Sequence, residues 1–219
     1  MGAVHFGAPE DLALFLRDRL RLATFVETGT FGGGTASWAA RHFTTVHSIE
    51  ASAKYWRAAQ NRYAALGNVT FHLGHSPTQL ASLMPRLERP MFWLDAHWCG
   101  SDTAGVSGEC PLLDEVAAIA RARLPEPVIL IDDARLFLAP PPAPHDWTQW
   151  PDLAAVVAAL QRCGDLSIAV VEDVIVAVPV AVRHDLVEFW RARPTLSAVP
   201  PRPRLLLRGF LKKYRRSSR

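Results

Sequence analysis

Short apolar runs recur along the chain and are separated by longer segments of mixed polarity. Three of the runs, TFV, VILI and MFWL, are nearly continuous in apolar residues. Runs of this kind are typical of strands that are covered on both faces of a sheet. Together the short runs predict five strands, at Thr24–Thr30, Thr44–Glu50, Val69–Leu73, Met91–Asp95 and Val128–Asp132.

The segments around these strands carry apolar residues at helical spacing, as in Leu12, Leu16 and Leu20 of the first segment. Alternating strands and helices of these lengths form βαβ units, which predict an α/β fold with a parallel sheet and helices on both faces. The pattern predicts six helices, at Asp11–Leu22, Gly34–His42, Ala53–Leu66, Pro77–Leu87, Pro111–Ala122 and Asp152–Cys163.

The pattern changes after the fifth strand. Residues Leu138–Pro151 contain five prolines and are predicted to form a loop, with a lid as one interpretation. Two further strand runs, Ser167–Val171 and Val174–Val178, are separated by only Glu172 and Asp173. Two residues allow a hairpin but not a crossover, so the sheet is expected to end in an antiparallel pair.

The composition fits one globular domain. The chain has 219 residues, 49% hydrophobic and 21% charged, with a mean hydropathy of +0.07. Residues 1–199 are predicted to form this domain, with a helical leader at 1–23. We find no secretory signal and no run of apolar residues long enough to span a membrane. The three cysteines are too few for a disulfide framework. A cytoplasmic protein is therefore expected.

Positive charge is concentrated in a basic tail, residues 200–219. The tail holds eight of the 24 Lys and Arg residues and no acid, so the remainder carries 16 bases against 21 acids, or −5. Such a tail can bind nucleic acid or make peripheral contact with an anionic membrane. A solvated terminus is the simpler interpretation.

A glycine-rich turn follows the first strand, in the sequence ETGTFGGGT at 27–35. It is not a P-loop, because no Gly-Lys-Ser/Thr follows, and its glycine spacing does not match the dinucleotide fingerprint. Glu27 at the end of the strand suits a cationic amine, and the glycines let the backbone approach a ligand. The turn therefore favours a site for a nucleoside ligand that has a positively charged end.

The next two strands end in residues that fit the same site. Glu50 ends the second strand, where an acid can accept both ribose hydroxyls. Gly74, His75 and Ser76 follow the third strand and are placed to line the base. All of these residues lie at carboxyl ends of parallel strands, where open α/β sheets bind ligands.

Five segments carry a family resemblance: VETGTFGGGTA, SIEAS, LGHSP, MFWLDAHW and VILIDDA, all between residues 24 and 135. Together they resemble the class I S-adenosylmethionine-dependent methyltransferases, most closely the metal-dependent group similar to catechol O-methyltransferase, with the macrocin-type sugar O-methyltransferases as cousins. The resemblance implies a doubly wound, Rossmann-like, mostly parallel seven-stranded sheet with a reversed last strand. It also implies methylation of a hydroxyl on a small molecule or sugar.

The resemblance also implies which residues hold S-adenosylmethionine. They are Glu27, Gly29, Thr30, Phe31, Gly33, Glu50, Gly74, His75, Ser76 and Asp95.

Three acids end the fourth and fifth strands: Asp95, Asp132 and Asp133. Carboxylates that converge at neighbouring strand tips repel one another unless they are protonated or bind a cation, and hard oxygen ligands suit Mg²⁺. In the resembled enzymes the acids at these positions hold Mg²⁺, so the resemblance assigns all three as metal ligands. The alternative is that Asp133 caps a following turn or contacts the cofactor.

The sequence departs from the resembled group where that group has a catalytic lysine. His97 is the candidate general base here, because neutral imidazole can take a hydroxyl proton, and a structural role is the alternative. Asp95 and His97 are thus the predicted catalytic residues. The short leader and the tight turn at 172–173 leave a catechol acceptor unsupported.

The loop from Cys99 to Cys110 is predicted to fold over the substrate as a lid. A zinc or redox site formed by His97 and the two cysteines is an alternative, although its spacing matches no common zinc pattern. Asp102 and Glu109 either contact substrate or are solvated. Four tryptophans flank the site, and Trp93 is expected in the core; the four are Trp93, Trp98, Trp147 and Trp150.

Three other functions stay open at this point. A nucleic-acid methyltransferase would use the basic tail, but the run Ala139-Pro140-Pro141-Pro142 lacks the polar residue that such enzymes place before Pro-Pro. An NAD(P)-dependent oxidoreductase would bind nicotinamide cofactors, and a non-catalytic protein would bind cofactor without turnover. The acceptor and the oligomeric state do not follow from the sequence.

Overall fold

A computed structural model describes residues 7–98 and 108–193 of the chain. Its centre is a sheet whose strands coincide with the apolar runs, because those runs can be covered on both faces. The strands are β1 (Thr24–Thr28), β2 (Thr45–Glu50), β3 (Val69–Leu73), β4 (Pro90–Leu94), β5 (Val128–Ile131), β6 (Leu166–Val171) and β7 (Val174–Pro179).

The strand order of the sheet is β3-β2-β1-β4-β5-β7-β6. The first five strands are parallel, whereas β7 is antiparallel to β5 and β6 is antiparallel to β7. Val171 pairs with Val174 across the two-residue turn. The predicted doubly wound sheet of seven strands with a reversed last strand is confirmed.

Eight helices accompany the sheet in the described residues. They are α1 (Glu10–Leu20), α2 (Gly34–Ala39), α3 (Ala53–Arg62), α4 (Ser76–Leu83), α5 (Leu112–Ala122), α6 (Arg135–Leu138), α7 (Leu153–Leu160) and α8 (Arg183–Arg191). The six predicted helices are present, but α1, α2, α3, α4 and α7 end earlier than predicted. α4 and α7 each continue as a 3-10 turn, at Met84–Arg86 and Gln161–Cys163.

Two helices were not predicted. α6 has only four residues and ends where the proline-rich loop begins, so its apolar period is too short to recognise. α8 follows the last strand, in a region to which the sequence interpretation assigned no element. The loop itself is confirmed, apart from a 3-10 turn at Trp147–Gln149.

The hydrophobic core lies on both faces of the central strands. Every residue of β1, β4, β5 and β7 is buried, as expected for strands with helices on both sides. Trp93 is 1% exposed, which confirms its expected place in the core. Five of the buried polar residues lie on strands β1 and β2, namely Thr24, Glu27, Thr28, Ser48 and Glu50.

The chain divides into two compact units, residues 1–183 and 184–219. The described part of the second unit, residues 184–193, holds α8 from its second residue onward and the two residues after it. The predicted boundary at 199 and the basic tail lie outside the described residues. Within the described residues, every helix is too short or too polar to cross a lipid bilayer.

Candidate active site

A cavity of about 870 Å³ opens at the carboxyl ends of the parallel strands. This is the edge of the sheet where the sequence placed the site, and the volume is in the range of pockets for drug-sized ligands. The predicted site residues that line it are Gly29, Thr30, Phe31, Glu50, His75, Ser76, Asp95, His97, Asp132 and Asp133. Glu27, Gly33 and Gly74 are predicted site residues that do not line it.

The glycine turn brings the backbone of β1 against the tip of β4. Gly29 has φ +86° and its N–H donates to the carbonyl of Ile49 at 2.9 Å. A Cβ at this position would lie 2.2 Å from the carbonyl oxygen of Asp95. Only glycine combines this φ with this approach, so the turn is built for close backbone packing.

Gly29→Ala is expected to destabilise the protein by about 2–4 kcal/mol. The change adds a strained φ and a clash with backbone that has no room to move. Thermal or urea unfolding measures the loss. Gly67→Ala is the matched control because its Cβ would meet nothing within 4 Å, and its stability should be nearly unchanged. Equal stabilities for the two variants would contradict this account of the turn.

Glu50 is fixed with its carboxylate toward the cavity. The backbone N–H of Phe31 donates to Oε2 at 2.9 Å, and the backbone N–H of Ser52 donates to Oε1 at 2.8 Å. Each carboxylate oxygen has a second lone pair, so both can still accept a hydrogen bond. Glu50 therefore presents two acceptors at fixed positions, which matches the pair of hydroxyls of a ribose.

Glu27 is 1% exposed and reaches the cavity through two hydroxyls. Ser48 Oγ donates to Glu27 Oε1 at 2.5 Å, and Thr30 Oγ1, which lines the cavity, lies 2.5 Å from Ser48 Oγ. Burial raises the pKa of Glu27 to about 8, with Asp95 and Glu50 adding to the rise and Ser48 opposing it. A cation bound nearby would restore the ionised form.

His97 lies between two of the predicted acids. Its Nε2 is 2.7 Å from Asp133 Oδ2, and its Nδ1 is 3.6 Å from Asp95 Oδ1. Burial alone would lower the pKa of His97, but the hydrogen bond to Asp133 and the charge of Asp95 outweigh it, so the pKa is raised. The predicted catalytic pair, Asp95 and His97, is thus brought together.

The other acids differ in their protonation. Burial raises the pKa of Asp95 to about 8 and that of Asp132 to about 6, and neighbouring acids add to both. Burial would also raise the pKa of Asp133, but the hydrogen bond from His97 and the charge of Arg135 hold it below its ordinary value. Asp133 is therefore ionised at neutral pH and accepts hydrogen bonds.

The three acids do not form a ready magnesium site. Among residues 7–98 and 108–193, no group of three or more His, Cys, Asp or Glu side chains is placed to hold a metal ion. Both oxygens of Asp133 are already engaged, Oδ2 by His97 and Oδ1 by Arg135 Nη1 at 2.5 Å. The arrangement does not fit Asp133 as a metal ligand, and Mg²⁺ stays a prediction from the resemblance.

Aromatic side chains form one wall beside His97. Trp98 lines the cavity and packs edge-on against His145, with ring centroids 5.4 Å apart. Trp150 is 8% exposed and lies 5.0 Å from the ring of His145 and 5.5 Å from that of His97. Trp147 is 63% exposed and does not line the cavity.

Glu109 joins the loop before α5 to the proline-rich loop. Its carboxylate accepts from Trp150 Nε1 at 2.8 Å and from the backbone N–H of Asp146 at 3.0 Å, and it lies 3.3 Å from His145 Nδ1. These partners occupy it, so its role is to hold the aromatic wall. Asp102 and Cys99 lie outside the described residues. Cys110 is described, and burial raises the pKa of its thiol to about 12.

Three site residues were missed by the sequence interpretation: Glu115, Arg135 and Asp173. Glu115 lies on α5, is 1% exposed, and its Oε1 has no hydrogen-bond partner in the described part of the chain. Its position on the apolar face of α5, with Val116 and Ile119, was the signal in the sequence that this acid is buried. Burial raises its pKa to about 7, with the Ser76 and Thr28 hydroxyls opposing the rise.

No protein-family model and no curated protein matches the sequence. Solved structures do. A candidate O-methyltransferase from Klebsiella pneumoniae is 16% identical, with a TM-score of 0.56 over 81% of this chain and 84% of that one. A candidate caffeoyl-CoA O-methyltransferase from Staphylococcus aureus is 12% identical, with a TM-score of 0.54 over 77% and 81%. DesVI of Streptomyces venezuelae is 13% identical, with a TM-score of 0.52 over 78% and 89%.

These likenesses define the class of fold. The chain has the Rossmann-like seven-stranded fold that these proteins share, as its strand order also shows. At 12–16% identity, the similarity supports a shared fold but does not support a shared activity. The activity has to follow from the site.

Proposed function

We propose that the protein is an S-adenosylmethionine-dependent methyltransferase that methylates a hydroxyl on a small molecule or sugar. The observation that carries the proposal is the excess of acidic over basic side chains along the cavity. Six acids line its described part against two arginines; the acids are Glu10, Glu50, Asp95, Asp114, Asp132 and Asp133. Where burial raises the pKa of an acid, as at Asp95, a cationic ligand would favour its ionised form. An acidic cavity favours a ligand with a positive sulfonium and a positive amine, and it disfavours the pyrophosphate of NAD(P).

The positions of the acids fit the parts of that ligand. Glu50 offers two fixed acceptors for ribose hydroxyls. Glu27, behind Thr30, supplies negative charge for the amine end, and Asp95 lies at the tip of the adjacent strand β4. The methyl group would thus be presented near His97 and the aromatic wall, where an acceptor has room to bind.

His97 is the base in this proposal. Because Asp133 is an ionised acceptor 2.7 Å from Nε2, the proton of the neutral ring stays on Nε2 and Nδ1 carries the free lone pair. Nδ1 takes the proton of the acceptor hydroxyl as its oxygen attacks the methyl carbon. The C–O bond forms while the C–S bond breaks, and the electron pair of that bond stays on sulfur, which gives neutral S-adenosylhomocysteine.

The acceptor assay tests this proposal. Release of S-adenosylhomocysteine is measured with a panel of sugars, polyols and phenols, in EDTA and in Mg²⁺. We expect turnover with at least one hydroxyl acceptor, and turnover that persists in EDTA would show that His97 suffices as the base. Turnover that is lost in EDTA and restored by Mg²⁺ would favour the metal-assisted alternative. Complete inactivity in both conditions with the whole panel would contradict the proposed activity.

Cofactor binding is expected to strengthen as the pH rises from 6.5 to 8.5. The pKa of Glu27 is raised to about 8, so below that pH the site must lose a proton to meet a cation with an ionised carboxylate. Each proton released strengthens binding by up to about tenfold per pH unit below that pKa. Calorimetry with S-adenosylmethionine measures the slope.

Adenosine is the control for this pH dependence. It keeps the ribose and the base but has no positive charge, so its affinity should not change over the same range. Glu27→Gln should remove part of the slope for S-adenosylmethionine. A flat profile for the wild-type protein would show that the buried acids do not respond to the cofactor.

A further inference from the structure

The turn between β6 and β7 reaches back to the tip of β5. Its two residues, Glu172 and Asp173, have φ +49° and +70°, the left-handed conformation that a two-residue hairpin requires. The carbonyl of Asp173 accepts from the backbone N–H of Ala134 at 2.7 Å. Its Oδ1 accepts from the backbone N–H of Arg135 at 2.8 Å. The turn therefore holds the backbone of the two residues that follow Asp133 through these two hydrogen bonds.

A chain of charged side chains then runs from this turn to His97. Asp173 Oδ2 pairs with Arg135 Nη1, and the same Nη1 lies 2.5 Å from Asp133 Oδ1. The other oxygen of Asp133 lies 2.7 Å from His97 Nε2. The side chain of Asp173 is 9% exposed and does not line the cavity. It influences the site through its partners and through its charge, which helps to raise the pKa of Asp132.

We propose that Asp173 and Arg135 are positioning residues that lock the Asp133 carboxylate onto Nε2 of His97 and so aim Nδ1 at the acceptor. The role in methyl transfer rests on the proposed function, whereas the orientation of the ring does not.

The conformation of Asp133 explains why it needs such support. Asp133 is not glycine, yet its φ is +54°, a conformation that costs a non-glycine residue about 1 kcal/mol and persists only where surrounding contacts hold it. Without Arg135, Oδ1 of Asp133 would lose its cationic partner. The carboxylate would then be free to rotate away from His97 toward solvent in the cavity.

The exposure of Arg135 explains why it needs Asp173. The arginine side chain is 46% exposed, and an ion pair of an exposed arginine with one carboxylate is weak. A second carboxylate, with a backbone hydrogen bond that fixes residue 135 itself, restricts the guanidinium to one position. Asp173 therefore converts a flexible surface arginine into a fixed partner for Asp133.

Proton NMR of the full-length protein tests the inference without an acceptor. The Nε2–H of His97 should give a downfield resonance that exchanges slowly with water, because it is hydrogen bonded to a carboxylate. His97→Gln assigns the resonance by removing it. Asp173→Asn keeps an oxygen for the backbone N–H of Arg135 but removes the charge, and Arg135→Gln removes the guanidinium from a side chain without a core role.

In both variants the Nε2–H resonance should shift upfield and exchange with water at least about fivefold faster, the change expected when a charge-assisted hydrogen bond is weakened. Asp18→Asn is the matched control, since it removes another arginine–aspartate pair on the surface of α1 and should leave the resonance unchanged. An unchanged resonance in both folded site variants would overturn the positioning role. If one variant fails to fold, the other decides.

Calorimetry on the same samples separates this inference from the proposed function. Asp173→Asn should bind S-adenosylmethionine as the wild-type protein does, because Asp173 does not line the cavity. Arg135→Gln removes a positive charge from the cavity lining and should bind the cationic cofactor at least as tightly as the wild-type protein. A wild-type protein that fails to bind S-adenosylmethionine would contradict the proposed function, whatever the resonance shows. An unperturbed resonance together with normal binding would contradict only the role of Asp173 and Arg135.

Discussion

Replacement of His97 by Gln is expected to lower kcat about 10³-fold, within the range for loss of a general base. Glutamine keeps a polar side chain that can hydrogen bond to Asp133, but it cannot take the hydroxyl proton. Binding of S-adenosylmethionine should stay within about twofold, because His97 acts on the acceptor rather than on the cofactor. Single-turnover methyl transfer and calorimetry measure the two effects separately.

His184→Gln is the control for this substitution, since His184 is an exposed histidine in the second unit of the chain. It should change neither rate nor binding. If His97→Gln kept the wild-type rate, the base would have to be another group. If it lost cofactor binding as well, His97 would be part of the cofactor pocket rather than the base.

Replacement of Glu50 by Gln is expected to weaken S-adenosylmethionine binding about 100-fold. The change leaves one acceptor oxygen where there were two, and it puts an NH₂ group against either the backbone N–H of Phe31 or that of Ser52. Hydrogen bonds to a charged group contribute about 1.5–3 kcal/mol, so the loss of one such bond with a new repulsive contact accounts for the effect.

Adenosine gives this prediction its specificity. It carries the ribose, so its affinity should fall by a similar factor in Glu50→Gln. Glu88→Gln, at an exposed glutamate paired with Arg89, is the control and should bind both ligands normally. Normal adenosine affinity in Glu50→Gln would remove Glu50 from the ribose site.

The positions of the strands along the chain could be predicted because each strand has its own local signal. Short β-like runs marked β1 to β5, with nearly continuous apolar residues in β1, β4 and β5, and the two residues between β6 and β7 allowed only a hairpin. The ends of helices were less accurate, because α4 and α7 pass into 3-10 turns that continue the same apolar spacing. α6 is a single turn and is too short to show the helical spacing of apolar residues.

The tips of the strands could likewise be predicted, but not the partners of their side chains. Asp133 was placed correctly at the end of β5. The orientation of its carboxylate toward His97, however, depends on a positive φ and on Arg135. Arg135 and Asp173 are 38 residues apart, and nothing local signals their pairing. Long-range ion pairs of this kind form only when the sheet brings distant turns together.

Glu115 shows a different limit. It occupies a core-facing position of α5, and the helical pattern alone could have identified it as a buried acid. Its environment, near Ser76, Thr28 and His97, follows only from the packing of α5 at the strand tips. Buried acids near a cavity lined by further acids are the feature on which the proposed cofactor depends.

Calorimetric titration of the purified protein with S-adenosylmethionine, with NAD⁺ as the comparison, tests the central claim most directly. The acidic cavity predicts micromolar binding of S-adenosylmethionine and no measurable binding of NAD⁺, because the carboxylates attract the sulfonium and repel the pyrophosphate. Binding of NAD⁺ with no binding of S-adenosylmethionine would contradict the account of the cavity and the methyltransferase activity proposed from it.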